Sequence, residues 1–287
     1  MEQKFYGGIE LGGTKTICAI GDASGAVIAQ TTVQTRGVDE TLTDVFGFFE
    51  QNIPIISLGV GSFGPINLDS SDEEFGSIHN SPKVGWSNVK LKELLEQHLK
   101  IPVMVDTDVN CAALGELYYG VAQHVDSFIY LTIGTGIGGG LVIDGKLVRG
   151  ISHLEMGHMR IPHEPFDDAY KGSCTFHGDC FEGIASGFAL ENRYGQRGEQ
   201  ITDQAIWDVE TEYISSALNN LMLAIGPKMI ILGGGIMNHA GLIESIRKKV
   251  RVKINGYMPF PDLETYLVTS SSELNSALGA IKMVSHT

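Results

Sequence analysis

The chain has no run of about 18 apolar residues, the length a membrane-spanning helix requires. Its start, MEQKFYGG, lacks the apolar stretch of a secretory signal. A membrane span and an exported precursor are therefore not expected, and a cytoplasmic location is. Positive charge is scarce: 20 Lys and Arg against 34 Asp and Glu give a formal net charge of −14. Such a chain is a poor general partner for nucleic acid or an anionic membrane. Any phosphorylated ligand has to be held by local amides, a few cations and a metal ion. Cysteine is sparse, with four residues in 287. What is abundant is glycine, 36 residues, well above the usual ~7%. It clusters in short loops between β-type runs, as in nucleotide-binding α/β proteins. With 43% apolar residues the chain can bury one large core or two ordinary ones.

The first glycine cluster lies in GGIELGGTKTICAI, residues 7–20. A phosphate-binding P-loop needs a helix directly after the glycines. Here the β-branched run TICAI follows, so the segment reads as a β-hairpin. Strands are expected near 5–11, 15–20, 26–34, 55–60 and 102–106, with helices near 39–51, 90–99 and 109–120. Residues 127–150 repeat the opening pattern. A shift of 122 residues places Leu11-Gly12 on Ile133-Gly134, Thr14 on Gly136 and Asp22 on Asp144. Helices near 184–194, 203–225, 241–252 and 273–284, and strands near 229–237 and 264–269, complete the second half. Two halves, each a three-stranded meander continued by βαβα, describe the actin-like (ribonuclease H-like) duplicated α/β fold. In that fold paired hairpin turns clamp a nucleotide in the cleft between two lobes. The lobes are expected at 1–120 and 121–272, with the C-terminal helix, about 273–287, packing back on the first.

Gly59/Gly61/Gly64 and Gly134/Gly136/Gly139 formally match G-x-G-x-x-G. Neither precedes a helix, as a dinucleotide fold demands. Gly134, Thr135 and Gly136 read instead as a hairpin turn whose amides approach phosphate oxygens. Gly233, Gly234 and Gly235 end a strand, the edge where α/β sheets bind ligands, and suit the adenosine end of a nucleotide. Cys18 and Cys111 read as core residues. Cys174, His177 and Cys180, spaced by three, resemble a metal site more than a disulfide. Tetrahedral zinc wants a fourth ligand, with His158 the leading candidate and His153 and His163 its rivals. Four protein ligands would make the site structural, pinning its loop.

IELGGTK, TDVNCAALGE, LTIGTGIGGGLVIDG, EMGH and HGDCFEG, in this order, resemble the ROK sugar kinases (repressors, open reading frames, kinases) across the whole chain. GGIELGGTK and NSPKVGW are most similar to the bacterial fructokinase subgroup. The resemblance implies transfer of phosphate from ATP to a hexose, magnesium with the nucleotide, and a homodimer. Fructose, giving fructose 6-phosphate, is favoured over glucose or mannose. A sugar-responsive repressor would need a DNA-binding segment, and only six residues precede Gly7. By position, Gly12, Gly13, Thr14 and Lys15 form the first phosphate loop, Gly134, Thr135 and Gly136 the second, and Gly187 joins Gly233, Gly234 and Gly235 at the nucleotide. Asn80, Asn110, Glu155, His158 and Glu182 fall on substrate positions. Glu10, where most of the family has Asp, would reach magnesium through water. Phe188 stands where proline is common.

Asp108 falls on the family's catalytic aspartate, the base that deprotonates the sugar hydroxyl. From its position alone, at a strand end before a helix, a helix N-cap is an equal reading; the resemblance favours the base. Asp106 is the weaker candidate.

Overall fold

A computed structural model describes residues 3–164, 167, 169–257, 259 and 261–285. The last two residues of the expected 273–287 segment, and 165, 166 and 168 of the loop after His158, lie outside the described residues.

The chain opens with a meander of β1 (Tyr6–Leu11), β2 (Lys15–Gly21) and β3 (Val27–Gln34), then α1 (Val38–Glu50) and β4 (Leu58–Ser62). It continues with α2 (Leu91–Leu99), β5 (Val103–Thr107) and α3 (Asp108–Tyr119). A second meander follows: β6 (Phe128–Ile133), β7 (Ile137–Ile143) and β8 (Lys146–Leu147). Then come α4 (Phe181–Ala185), α5 (Gly187–Tyr194), α6 (Gln204–Ile225), β9 (Met229–Gly233), α7 (Leu242–Ile254), α8 (Leu263–Tyr266), β10 (Leu267–Thr269) and α9 (Asn275–Ser285). The two five-stranded sheets have the orders β3-β2-β1-β4-β5 and β8-β7-β6-β9-β10, which is one topology used twice. This is the duplicated actin-like arrangement expected from the sequence.

The shift of 122 carries β1 onto β6 and β2 onto β7 residue for residue. It fails at the third strand, because β8 has two residues where β3 has eight. The two aspartates are correspondingly not equivalent. The Asp22 carboxylate accepts N–H groups from Ser24 and Ala26 across a wide turn. Asp144 itself is left-handed, at φ 49°, with Gly145 at φ 73° in a two-residue hairpin turn.

Other elements also depart from expectation. β4 runs to Ser62, not 60, because β1 and β5 pair with it on both sides past the weakening Gly61. The expected strand 229–237 stops at Gly233, since Gly234 turns to φ 90°. The helix expected over 184–194 is broken at extended Ser186, whose hydroxyl caps α5 by accepting the Ala189 N–H. The expected strand at 264–269 begins as the single helical turn α8.

The chain divides into two compact units. Unit 1 holds Met1–Asp126, Gly140–His153 and Ser271–Thr287, and unit 2 holds Ser127–Gly139 and Leu154–Ser270. In unit 1, strand alternation sends Ile9, Leu11, Cys18, Ile20, Leu58, Val60, Val103 and Val105 into one core with Trp86. The opposite face meets α9 through Tyr6, Ile17, Ala19, Ala277 and Ile281. Glycine permits the closeness there. A Cβ on Gly8 would lie 2.1 Å from the Ala277 carbonyl oxygen, and one on Gly59 1.9 Å from that of Ala280. Gly59→Ala should therefore cost roughly 3 kcal/mol or more, since the obstacle is main chain. Gly47→Ala, mid-helix with only the flexible Gln51 side chain in reach at 3.9 Å, should gain about 0.5–1 kcal/mol. Urea unfolding midpoints of the two variants test both signs.

Candidate functional site

In unit 1, β1, β4 and β5 are parallel neighbours, and their register aligns Glu10 with Gly61 and Gly61 with Asp106. Both carboxylates therefore emerge on the α3/α9 face near the C-terminal strand ends, the edge that α/β sheets use for ligands. Gly61 leaves room between them for Cys111 and Ser276.

β5 passes directly into α3. Thr107, not Asp108, is the N-cap, its hydroxyl accepting the Asn110 N–H at 3.1 Å. Asp108 is the first helical residue, half-buried, and its Oδ1 accepts the Val109 N–H at 2.9 Å. The Asp108 carbonyl in turn accepts the Ser276 hydroxyl of α9 at 2.9 Å. Burial raises the Asp108 carboxyl from 3.8 to about 6, against the backbone N–H groups that lower it. Burial, helped by the Asp108 charge and opposed by Lys15, raises Glu10 from 4.5 to about 7.

Asp106 is different in kind. It is fully buried, and its carboxylate accepts the Thr107 N–H, the Asn110 side-chain amide and the Arg149 guanidinium. Asn110 is itself buried, its amide oriented by Asp106. Asn80 is exposed and left-handed at φ 47°.

The first glycine turn is a hairpin tip whose Gly13 has open space around it. Thr35 ties the tip down, its hydroxyl donating to the Gly12 carbonyl at 2.8 Å and its N–H to the Thr14 carbonyl at 3.0 Å. Lys83, in NSPKVGW, donates to the Gly13 carbonyl at 2.7 Å, and Lys15 pairs with Glu273 at 2.7 Å. Neither lysine contact was legible in the sequence, since the partners are 70 and 258 residues apart.

In unit 2 the second turn is built from three segments. Gly187 and Phe188, opening α5, donate their N–H groups to the carbonyls of Gly134 and Thr135 at 2.7 and 3.2 Å. The Gly235 nitrogen is 3.9 Å from where a Gly134 Cβ would stand. Phe188 is 51% exposed beside this turn. The Glu182 carboxylate accepts the Ile137 N–H at 2.9 Å, bracing the turn's far side.

His158, Cys174, His177 and Cys180 converge, also in unit 2. His158 Nδ1 is 3.6 Å from Cys174 Sγ, 3.5 Å from Cys180 Sγ and 3.3 Å from His177 Nδ1. The Cys174 Sγ to His177 Nδ1 distance is 3.8 Å. Ligands at zinc distances on a tetrahedron would be separated by about 3.3 Å (N···N) and about 3.6 Å (N···S). The four residues thus fit zinc. Burial pushes the Cys180 thiol up to about 11, so a thiolate there calls for a cation. The other ring nitrogen of His158, Nε2, is 3.9 Å from the Glu155 carboxylate. His153 is engaged with the Ile66 N–H at 3.4 Å, and the His163 ring lies 5.9 Å from that of Tyr213.

Two sheets of one topology, each carrying a glycine hairpin turn, define a class that comparison identifies directly. The sequence model of the ROK family matches residues 6–287, and the chain belongs to that family. It is 42% identical over 265 residues to a fructokinase of Lactococcus lactis subsp. cremoris, covering 92% of this chain and 90% of the relative. It is 40% identical over 273 residues to a fructokinase of Pediococcus pentosaceus, covering 95% and 94%. A ROK family glucokinase from Streptomyces griseus, solved with glucose and AMPPNP, superposes with a TM-score of 0.81 over the whole of both chains. At 24% identity that last likeness concerns the fold.

The raised carboxyls give a pH prediction. A carboxyl lifted above its unfolded value stabilises the fold while protonated, and that contribution is lost as pH rises through the folded value. For Asp108 and Glu10 the loss falls between about pH 4 and pH 7. Glu10→Gln and Asp108→Asn should therefore gain stability relative to the parent protein between pH 5 and pH 8, in metal-free buffer. Denaturant titrations at the two pH values measure the difference; a gap that does not widen with pH contradicts it.

Proposed function

We propose that this protein transfers the γ-phosphoryl group of ATP to a hexose, fructose in preference to glucose or mannose, with Asp108 as general base. The observation that carries the reading is Asp108 itself. Its carboxylate stands half-buried at the strand edge with a basicity raised toward neutrality. At about 6 it is largely ionised at pH 7, yet a far better proton acceptor than an ordinary aspartate. It takes the proton of the attacking sugar hydroxyl as the new O–P bond forms. The rest is positioning and charge stabilisation.

The amides of the 12–14 and 134–136 turns, with Lys15, would receive the phosphates, and Gly187 and Gly233–Gly235 the adenosine. Glu10 would hold magnesium through water. Magnesium held there would supply positive charge to offset that of the phosphates. Asn80, Asn110, Glu155, His158 and Glu182 would order the sugar. The names of the relatives support fructose as the substrate. The convergent His158, Cys174, His177 and Cys180 support a closed structural zinc, whose loop carries Glu155 and Glu182. Cysteines that serve as metal ligands rather than as disulfides would suit a reducing, cytoplasmic setting. The family resemblance supports a homodimer.

Across a panel of hexoses, an ADP-release assay should give fructose the highest kcat/KM. A glucose value ten or more times higher would remove the substrate reading. Asp108→Asn should lose roughly 10²–10⁴-fold in kcat with little change in substrate binding. Turnover near the parent rate would mean that the base lies elsewhere. Elemental analysis should find about one zinc per chain, and chelation should lower the melting temperature and hexose affinity together. Zinc-free protein with full activity and an unchanged melt would refute the assignment.

A further inference from the structure

Asp106 and Arg149 form an ion pair outside the roles assigned above. Asp106 is 0% exposed on its side chain, whereas Arg149 is 51% exposed. The arginine belongs to the segment Gly140–His153, which unit 1 holds against the start of α3. A Cβ on Gly140 would lie 2.7 Å from the Val109 carbonyl and 3.2 Å from the Asn110 side-chain oxygen. The strand therefore presses on the first turn of α3. The chain then reverses, with the Val148 N–H returning to the Leu141 carbonyl at 2.8 Å, and Arg149 follows immediately.

A fully buried carboxylate without a counter-charge is costly, and removing one partner of such a pair strands the other. Asp106 also organises its surroundings through a single oxygen. Oδ1 accepts the Thr107 N–H at 2.8 Å and the Asn110 amide at 2.7 Å, while Oδ2 faces Arg149. Thr107 and Asn110 bracket Asp108, and the Thr107 hydroxyl caps the same turn. The Cys111 thiol, pushed up first by burial, also feels Asp106, Asp108 and Glu10, with Arg149 acting the other way. At that thiol Arg149 thus acts against the three acids.

We propose that Arg149 is a positioning residue for the transfer reaction: it holds Asp106 as a buried carboxylate and, through it, the Thr107–Asn110 turn from which Asp108 projects. The proposal rests on the reading of Asp108 as base. Its direct consequence is coupling. The arginine matters only while there is a carboxylate at 106 to hold. Asn at 106 keeps an oxygen for Thr107 and Asn110 with no charge to balance, so Asp106→Asn should be milder than Asp108→Asn.

The test is a double-mutant cycle on the full chain, by hexose phosphorylation and thermal melts. Arg149→Met should lower kcat roughly 10–100-fold, as small misplacements of a reacting group do, and leave the KM for ATP within about threefold. Arg149→Lys should recover part of that loss, because lysine restores charge but not the planar fork. Asp106→Asn/Arg149→Met should turn over no slower than Asp106→Asn alone. Arg149→Met within twofold of the parent kcat overturns the proposal. So does an equally large arginine effect in the Asp106→Asn background, the pattern of a merely structural staple. If Arg149→Met does not fold, Arg149→Lys in both backgrounds gives the same coupling. Asp108→Asn run beside the cycle separates the two claims: parent-like turnover there removes the base while the 106–149 coupling is still read.

Discussion

Main chain touches main chain where α9 meets the rest of unit 1. A Cβ on Gly115 would stand 2.0 Å from the Asn275 carbonyl oxygen, and one on Gly279 1.7 Å from that of Cys111. With Gly8 and Gly59 beneath the same helix, α9 is held at a distance that no side chain could share. Buried Glu116 secures the entry to the helix. Its carboxylate accepts the Ser271 N–H and hydroxyl and the Asn275 amide, a charge spent on hydrogen bonds. The consequence reaches the proposed base, because Ser276 on α9 holds the carbonyl of Asp108 itself. The last helix of the chain thereby orients the first residue of α3.

The four acids near α3 divide into two kinds by what surrounds them. Glu116 and Asp106 are buried and saturated with donors. Glu10 and Asp108 are raised because burial outweighs what opposes it. The first kind builds the frame, and the second keeps a raised basicity, which suits the proton acceptor and cation holder proposed for Asp108 and Glu10. The glycine turns differ in a similar way. The first is an exposed tip tied by Lys83, and the second is packed against the start of α5 and braced by Glu182.

Periodicity and turn chemistry are local, so the sequence by itself determined the two hairpins, most helices and the duplication through β2 and β7. It also brought to attention the turn glycines and the cysteines and histidines that the fold gathers in one place, because each group is a short motif. Three-dimensional contact decided the rest. Whether Asp108 or Thr107 capped α3 depended on backbone angles at the strand end. Strand β4 outlasted its glycines because neighbours paired with it on both sides. His158 was one of three candidate ligands in the sequence, and only the fold brought its Nδ1 to both thiols. Arg149 carried no signal at all. Its partner is 43 residues away, and a buried carboxylate can be recognised as buried only once the sheet and helix that desolvate it have met.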